Sequence, residues 1–429
     1  MGRWGAVQLP VRLGRARGLR TRVFNTTPTF ADFELLAVGL LLVAAIVAIG
    51  ARHLHLPYTV ALVVAGLLFS FTRFVDVSLS RELIFLVFLP PLVFEAGINT
   101  DLTELRRRWS EVTVLTIGGT LVTAAVVVAA VSLLTGLPFR YAVLLGTILA
   151  PTDPVSVLAT MKEHRVSGGL RTLLESESIF NDALGVVLFG IALSVAFGAE
   201  AGHQGWASGL VDFVRQTTVG LGVGAAGGLV VHRLMRAIDD HLVEITLSVS
   251  LAFGTFLVSD RLGGSGIVAV VVAGLLITNY GPHRTMSASS RRLMLDVWSV
   301  LAFLLNSALF LLIGMQFHPS RFTDPTTIGV TLVAAVAVLV GRALSIYGLF
   351  VPFRRLARTP RAPFTWMHVL FWGGLRGSIP VALALGLTTA QRDLAGVDAV
   401  AVVFGVVMLS LLIQGLTFAP LLSRFGFTS

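Results

Sequence analysis

Two polar segments lie inside long apolar stretches of this sequence, and both contain side chains that can bind a cation. Residues 151–154 read Pro-Thr-Asp-Pro, and residues 177–182 read Glu-Ser-Ile-Phe-Asn-Asp. Proline lacks a backbone N–H and clashes with the preceding turn, so a helix that contains the first segment should break there. In the second segment Ser178 and Asp182 are four residues apart and share one helical face. Freed carbonyls, hydroxyls and carboxylates supply oxygen ligands, which hard cations prefer.

A third segment, residues 372–380, reads Trp-Gly-Gly-Leu-Arg-Gly-Ser-Ile-Pro and predicts a second interrupted helix. An ionisable side chain at mid-bilayer costs at least ~2.5–3.5 kcal/mol, so such groups usually face a cavity, a partner or an ion path. The apolar stretches contain nine ionisable residues, which are the candidates for a functional site: Glu95, Asp153, Glu175, Glu177, Asp182, Glu244, Asp296, Arg342 and Arg376.

The composition indicates that membrane-spanning helices hold these residues. Hydrophobic residues make up 55% of the 429 residues and charged residues 13%, whereas soluble domains are about a quarter charged. Continuous apolar runs of roughly 20 residues recur along the chain, which favours helices over a β-barrel. We predict an all-α polytopic membrane protein with thirteen transmembrane helices, at residues 33–51, 57–72, 82–98, 110–135, 140–160, 175–197, 208–235, 242–259, 264–280, 293–317, 327–353, 366–387 and 398–422.

The basic residues predict an orientation. The loops after the odd-numbered helices hold sixteen positive charges: Arg52, Arg106, Arg107, Arg108, Lys162, Arg165, Arg171, Arg233, Arg236, Arg284, Arg291, Arg292, Arg354, Arg355, Arg358 and Arg361. The loops after the even-numbered helices hold six: Arg73, Arg81, Arg140, Arg261, Arg321 and Arg392. Loops rich in Lys and Arg are cytoplasmic as a rule. We therefore predict a cytoplasmic C-terminus and an outer N-terminus.

The N-terminal segment disagrees with this charge rule. Residues 1–30 contain six arginines and no acidic residue, and the predicted orientation would place them outside. We predict that this Arg-rich arm is disordered or not native, and that residues 31–429 form one transmembrane domain without a cytoplasmic regulatory tail. The net charge of +9 does not indicate nucleic-acid binding, because the basic residues lie in short loops. The absence of cysteine excludes disulfides and thiol chemistry, and we expect no cofactor.

The two predicted breaks lie in the fifth and twelfth helices, seven spans apart. An odd offset gives the two helices opposite orientations, as an inverted repeat requires. Transporters built from such repeats bind their substrate where the broken helices meet. The sequence therefore predicts an inverted-repeat fold with an ion site between the fifth and twelfth helices.

Several short segments, taken in order, resemble a known family. They are residues 88–95 (Phe-Leu-Pro-Pro-Leu-Val-Phe-Glu), 152–154 (Thr-Asp-Pro), 177–182, 341–342 (Gly-Arg) and 373–377 (Gly-Gly-Leu-Arg-Gly). The sequence resembles the monovalent cation:proton antiporters of the sodium/proton exchanger family, prokaryotic NhaP type, over roughly residues 33–424. This resemblance implies a multi-pass cell-membrane protein that exchanges Na+ for H+, acts in pH homeostasis, and forms a homodimer with a mobile core around the two broken helices.

The resemblance also implies roles for individual residues. Asp182 resembles the carboxylate that takes either the cation or the proton. Ser178, Thr152 and Glu95 resemble further cation ligands, Glu95 through water. A Na+ ion would therefore bind at Asp182, Ser178 and Thr152.

The remaining candidates resemble a supporting network. Asp153 and Asn181 resemble the partners that brace the broken fifth helix. Glu177 and Arg376 resemble a buried ion pair that joins the sixth and twelfth helices, with Arg342 nearby in the same network. Such pairs often fix geometry rather than add stability.

These residues suggest a mechanism without ATP, because the sequence has no Walker-type phosphate-binding loop. A mid-membrane carboxylate is costly to leave ionised and empty, so cation and proton compete for its single charge. If the site crosses the membrane only when occupied, exchange follows. Asn181 cannot titrate, whereas related transporters with two adjacent aspartates there move extra charge. We therefore predict electroneutral exchange of one proton per cation, unless Asp153 or Glu95 also titrates.

Several alternatives remain open from the sequence. Asp153 is either a structural brace or a direct ligand, and Glu95 is either a ligand or a solvated residue near a helix end. A channel or uniporter is the rival within transport, although no filter-like segment is present. An intramembrane aspartyl protease would use Asp153 and Asp182 as a dyad that shares a proton. The choice among Na+, Li+ and K+ is not determined.

Overall fold

The structure is a computed structural model that describes residues 30–54, 56–72, 79–153, 155–163, 166, 168–197, 205–238, 240–279, 288–317, 319–322, 324–356 and 363–427. The predicted N-terminal arm lies outside these residues except for Phe30. Pro154 and five of the basic residues used to predict the orientation also lie outside them: Arg73, Arg165, Arg284, Arg358 and Arg361.

The described residues form helices and no β-strand. The helices are α1 Phe30–His53, α2 Tyr58–Thr72, α3 Arg81–Asn99, α4 Leu102–Arg107, α5 Trp109–Thr135, α6 Phe139–Leu149, α7 Val155–Glu163, α8 Gly168–Phe197, α9 Gly205–Arg236, α10 His241–Arg261, α11 Gly266–Asn279, α12 Ala288–Met315, α13 Pro325–Leu356, α14 Thr365–Trp372, α15 Ser378–Leu385, α16 Thr389–Arg392 and α17 Ala399–Arg424. Short π-helical turns lie within α3, α5, α13 and α17.

The predicted all-α membrane architecture is confirmed. Within the described residues, eight helices are long and apolar enough to cross a membrane (α3, α5, α8, α9, α10, α12, α13 and α17), and four shorter ones are apolar (α1, α2, α6 and α11). Each predicted range overlaps one described helix or a pair of them, and the fifth and twelfth ranges fall on the pairs α6–α7 and α14–α15.

The predicted start of the sixth helix, at residue 175, is wrong. The helix α8 begins at Gly168, almost two turns earlier. The additional turns contain Arg171, whose Nε lies 2.7 Å from Glu175 Oε1. Residues four apart face each other on a helix, so this pair supports the added turns. The sequence did not indicate them because the glycine pair Gly168-Gly169 and the charged Arg171 interrupt the apolar pattern there.

The helices pack as two groups with a cavity between them. In the first group α2 packs on α12, and α3 packs on both α11 and α12. The backbones of α2 and α12 touch, since a Cβ atom added at Gly66 would lie 2.1 Å from the Leu311 carbonyl oxygen. In the second group α13 packs on α5 and α17, and α6 packs on α5 and α8. The pairs α6–α7 and α14–α15, each joined by a non-helical segment, contact this second group, and α7 also contacts α2.

Candidate functional site

The two non-helical segments of the second group contact each other directly. Helix α6 ends at Leu149 and α7 begins at Val155, whereas α14 ends at Trp372 and α15 begins at Ser378. The backbone N–H of Asp153 donates to the carbonyl oxygen of Leu375 at 2.7 Å. A Cβ atom at Gly377 would lie 1.9 Å from Asp153 Oδ2, so this close approach requires glycine. The prolines and glycines that predicted the breaks therefore also allow the two segments to meet.

The Asp153 carboxylate caps the starts of two half-helices. Its Oδ1 accepts the Val155 N–H at 3.0 Å and its Oδ2 accepts the Ser378 N–H at 3.3 Å. The first N–H groups of a helix have no partner within the helix and carry partial positive charge, so a carboxylate is well placed there. Both oxygens of Asp153 are thus engaged by backbone, which is the arrangement of a structural brace.

Helix α8 holds the other side of the first break. Asn181 Nδ2 donates to Thr152 Oγ1 at 2.7 Å, and Asn181 Oδ1 accepts the Thr152 N–H at 3.4 Å. Ser178 Oγ donates to the Thr152 carbonyl at 2.8 Å. The amide of Asn181 therefore acts as donor and acceptor at once, which an ionised aspartate could not do. Thr152, Ser178 and Asn181 therefore lie together.

Asp182 differs from these neighbours because one of its oxygens is not engaged. Asp182 lies one helical turn beyond Ser178 on the same face of α8. Its Oδ1 is buried and has no hydrogen-bond partner among the described residues. A buried oxygen without a partner is costly, so this carboxylate is suited to take a proton or a cation. Asp182 and Ser178 both line one cavity.

This cavity, of about 300 Å³, lies between the two groups of helices. One wall is formed by α2, α3 and α12, and the other by α7, α8 and the start of α15. Five charged residues line it: Glu95, Asp153, Arg171, Glu175 and Asp182. Asn99 Nδ2 donates to Glu95 Oε1 at 2.7 Å, so Glu95 lies on the wall opposite α8 and near the end of α3. The cavity thus brings together four of the seven carboxylates that the sequence singled out, whereas Glu177, Glu244 and Asp296 do not line it.

The predicted ion pair between Glu177 and Arg376 is wrong. Glu177 is 2% exposed and pairs with Arg342, which is 3% exposed, through both carboxylate oxygens and both terminal guanidinium nitrogens. Arg342 Nε and Nη2 also donate to the Leu370 carbonyl, at 3.1 and 2.7 Å. Arg342 therefore joins α8, α13 and the last turn of α14.

Arg376 lies in the second break and is fully buried. Its backbone N–H donates to Ser410 Oγ at 3.0 Å, and its Nη1 donates to the Gly374 carbonyl at 3.3 Å. Its Nε and Nη2 have no hydrogen-bond partner within the described part of the chain. The guanidinium turns back onto its own segment, which explains why Arg342 rather than Arg376 pairs with Glu177.

Sequence reasoning missed two residues of α17 that hold the second break. Gln414 Nε2 donates to the Trp372 carbonyl at 3.1 Å, and Ser410 Oγ donates to Gln414 Oε1 at 2.7 Å. Both are buried. A glutamine inside a long apolar helix was the available signal, since a buried amide requires partners. Gln414 was not among the predicted site residues because the candidates were ionisable residues.

Comparisons with known proteins identify the family of this chain. Residues 39–424 match the family described as sodium/hydrogen exchanger, transmembrane. The chain belongs to the sodium/hydrogen exchanger family. It is 36% identical over 374 residues to the Na+/H+ antiporter ApNhaP of Aphanothece halophytica, covering 87% of this chain and 70% of that protein. The family resemblance inferred from the sequence is thereby confirmed.

Two further proteins extend the comparison. The Na+/H+ antiporter NhaP of Pseudomonas aeruginosa is 32% identical over 419 residues, covering 91% of this chain and 96% of that protein. The structure of the sodium proton antiporter MjNhaP1 from Methanocaldococcus jannaschii superposes with a TM-score of 0.71 at 20% identity, covering 92% of this chain and 99% of that one. The latter similarity establishes the antiporter fold of this exchanger-family chain.

Proposed function

We propose that this protein is a secondary antiporter that exchanges Na+, or Li+ or K+, for H+ across a cell membrane. The observation that supports this most directly is the Asp182 carboxylate. Its Oδ1 is buried without a partner in the described structure, yet it lines a cavity. Relatives at 32% and 36% identity are named Na+/H+ antiporters. The proposal is a transport function without enzymatic chemistry.

In this proposal the cation and the proton compete for Asp182. A Na+ ion would take Asp182 together with lone pairs of Ser178 and Thr152, because sodium is a hard cation that prefers oxygen. Glu95, on the opposite wall of the cavity, contributes through water. Protonation of Asp182 removes the charge that attracts the cation. Either occupant neutralises the carboxylate, so the site can move through an apolar barrier only when it is filled.

Asp153 takes part as a brace and not as a second titrating group. Both of its oxygens accept backbone N–H bonds, which hold the carboxylate at the starts of α7 and α15. The same bonds argue against an aspartyl protease, in which the two carboxylates share a proton. No hydrogen bond joins Asp153 to Asp182 among the described residues. One proton-binding carboxylate leads to electroneutral exchange of one proton per cation.

In this proposal the protein has thirteen spans arranged as an inverted repeat. The interrupted spans α6–α7 and α14–α15 meet at its centre. The second group of helices moves as the core, and the first group, with its close backbone contact between α2 and α12, is the rigid partner. Two copies form a homodimer in the plasma membrane. The N-terminus is outside and the C-terminus is cytoplasmic, as the basic loops favour.

Dissipation of a pH gradient in proteoliposomes tests this function. Wild-type protein should dissipate the gradient on addition of Na+, with Li+ and K+ compared in parallel. Asp182→Asn keeps the shape of the side chain but removes its charge, so its rate should fall to that of liposomes without protein. Asp212→Asn makes the same change at an exposed position on α9 and should retain the wild-type rate. Cation-coupled exchange by the Asp182→Asn protein would contradict the proposed site.

The stoichiometry is tested separately with an imposed membrane voltage. A K+ gradient with valinomycin sets the voltage, and Na+ serves as the transported cation. Exchange of one charge for one charge moves no net charge, so the initial rate should not depend on the voltage. A rate that rises or falls systematically with voltage would show that a second group titrates, and would leave the antiport itself intact.

A further inference from the structure

The charged side chains that line the cavity are mostly acidic. Four carboxylates line it, and Arg171 is the one basic side chain among the described lining residues. Asp153 binds backbone N–H groups, Glu95 accepts from Asn99, and Asp182 Oδ1 has no partner in the described structure. Glu175 pairs with Arg171.

Four of the residues that line the cavity lie on one face of α8. Arg171, Glu175, Ser178 and Asp182 are separated by four, three and four residues, which is the spacing of one helical stripe. The stripe runs for ~16 Å along the helix at 1.5 Å per residue. Its outer end is partly exposed, with the Arg171 and Glu175 side chains 33% and 14% accessible. Its inner end is the proposed ion site, so a cation that reaches Asp182 from this side passes the pair.

The Arg171–Glu175 pair is a less buried contact than the other ion pair of α8. It is a single contact between Arg171 Nε and Glu175 Oε1 at 2.7 Å, and both side chains are partly accessible. Ion pairs of this kind within one helix are weak and open readily. The pair between Glu177 and Arg342, by contrast, is nearly inaccessible and makes contacts through both carboxylate oxygens.

We infer that Arg171 and Glu175 shift the apparent affinity for the transported cation in opposite directions on this face of the membrane. This inference rests on the proposed antiport function. Arg171 repels an approaching cation and Glu175 attracts it, and in the pair the two charges nearly cancel. Both are positioning residues that control the local potential. They do not coordinate the ion at Asp182, so they should affect the KM for the cation and leave the maximal rate unchanged.

The test uses Arg171→Gln, Glu175→Gln and the double variant, assayed in everted and in right-side-out vesicles at fixed pH. Arg171→Gln should lower the KM for Na+ and Glu175→Gln should raise it, each about three- to tenfold, as for a screened unit charge within two helical turns of the path. The double variant should return to near the wild-type KM. The shifts should occur in one vesicle orientation only, because the pair lines one end of the cavity.

A matched control separates this effect from general surface charge. Arg107→Gln breaks a pair with Glu104 that is also within one helix but does not line the cavity, and it should leave the KM unchanged. An unchanged KM in both single variants would overturn the inference, and so would an equal shift in both orientations. A lower thermal stability with an unchanged KM would show a merely structural pair and would also overturn it. These outcomes would not affect the proposed antiport function, which stands if the wild-type protein exchanges Na+ and the Asp182→Asn protein does not.

Discussion

The two non-helical segments that follow α6 and α14 are stabilised by opposite charges. The break at residues 150–153 is held by the Asp153 carboxylate, which accepts the N–H groups of Val155 and Ser378 at the starts of two half-helices. The break at residues 373–377 follows a half-helix whose Leu370 carbonyl accepts from Arg342. Helix starts carry partial positive charge and helix ends partial negative charge. The carboxylate of Asp153 therefore faces N–H groups at helix starts, and the guanidinium of Arg342 faces a carbonyl group at a helix end.

This comparison separates the charged groups that already have partners in the fold from the one that does not. Asp153 is engaged by backbone N–H groups, and Arg342 and Glu177 are engaged by each other and by a carbonyl. Asp182 lies beside the first break and has a buried oxygen that no described residue engages. The site therefore contains one carboxylate that remains available among several that are occupied. Variants of the two breaks can test this comparison.

The largest effect is expected at the second break. Arg342→Gln leaves Glu177 buried without its charged partner, which typically costs about 3–5 kcal/mol. Thermal unfolding in detergent should show a strongly destabilised protein, and Glu177→Gln in the same chain should recover much of the loss. If Arg376→Gln were the more damaging change and Arg342→Gln were tolerated, the pairing described for Glu177 would be incorrect.

An intermediate effect is expected at the first break. Asp153→Asn retains one acceptor oxygen but leaves the N–H of Val155 or Ser378 without a charged partner, at a cost of about 1–3 kcal/mol. The variant should be less stable and slower but should still couple Na+ to H+, unlike Asp182→Asn. Comparison of the two variants in the same proteoliposome assay is the measurement. Complete loss of exchange in a well-folded Asp153→Asn protein would show that Asp153 binds the ion directly.

The smallest effect is expected for the neutral support of the second break. Gln414→Leu removes the hydrogen bonds to the Trp372 carbonyl and to Ser410, each worth about 0.5–1.5 kcal/mol. The unfolding midpoint should fall slightly, and exchange should continue with a similar KM. Thr417→Val, which changes a residue on the same helix that contacts the Trp372 ring nitrogen, provides a comparison at the edge of the break. A larger loss in the Thr417 variant would place the main support elsewhere.

Parts of the site were predictable because they depend on residues near in sequence. Proline and glycine act on the turn in which they lie, so they indicated where α6 and α14 end. Helical periodicity indicated that Ser178 and Asp182 share a face. The start of α8 was misplaced because two glycines and Arg171 interrupt the apolar pattern of its first turns. The contribution of Ser410 and Gln414 was missed because neither is charged.

The sequence by itself determined the helical membrane architecture, the locations of the two breaks and the set of ionisable residues, since hydropathy, chain stiffness and side-chain chemistry are local properties. Only the tertiary structure decided that Arg342 and not Arg376 neutralises Glu177, and that Asp182 keeps an unengaged oxygen. Those outcomes depend on how α8, α13, α14 and α17 pack. Each buried polar group takes the partner that packing brings within hydrogen-bond distance, and no local pattern in one sequence specifies that distance.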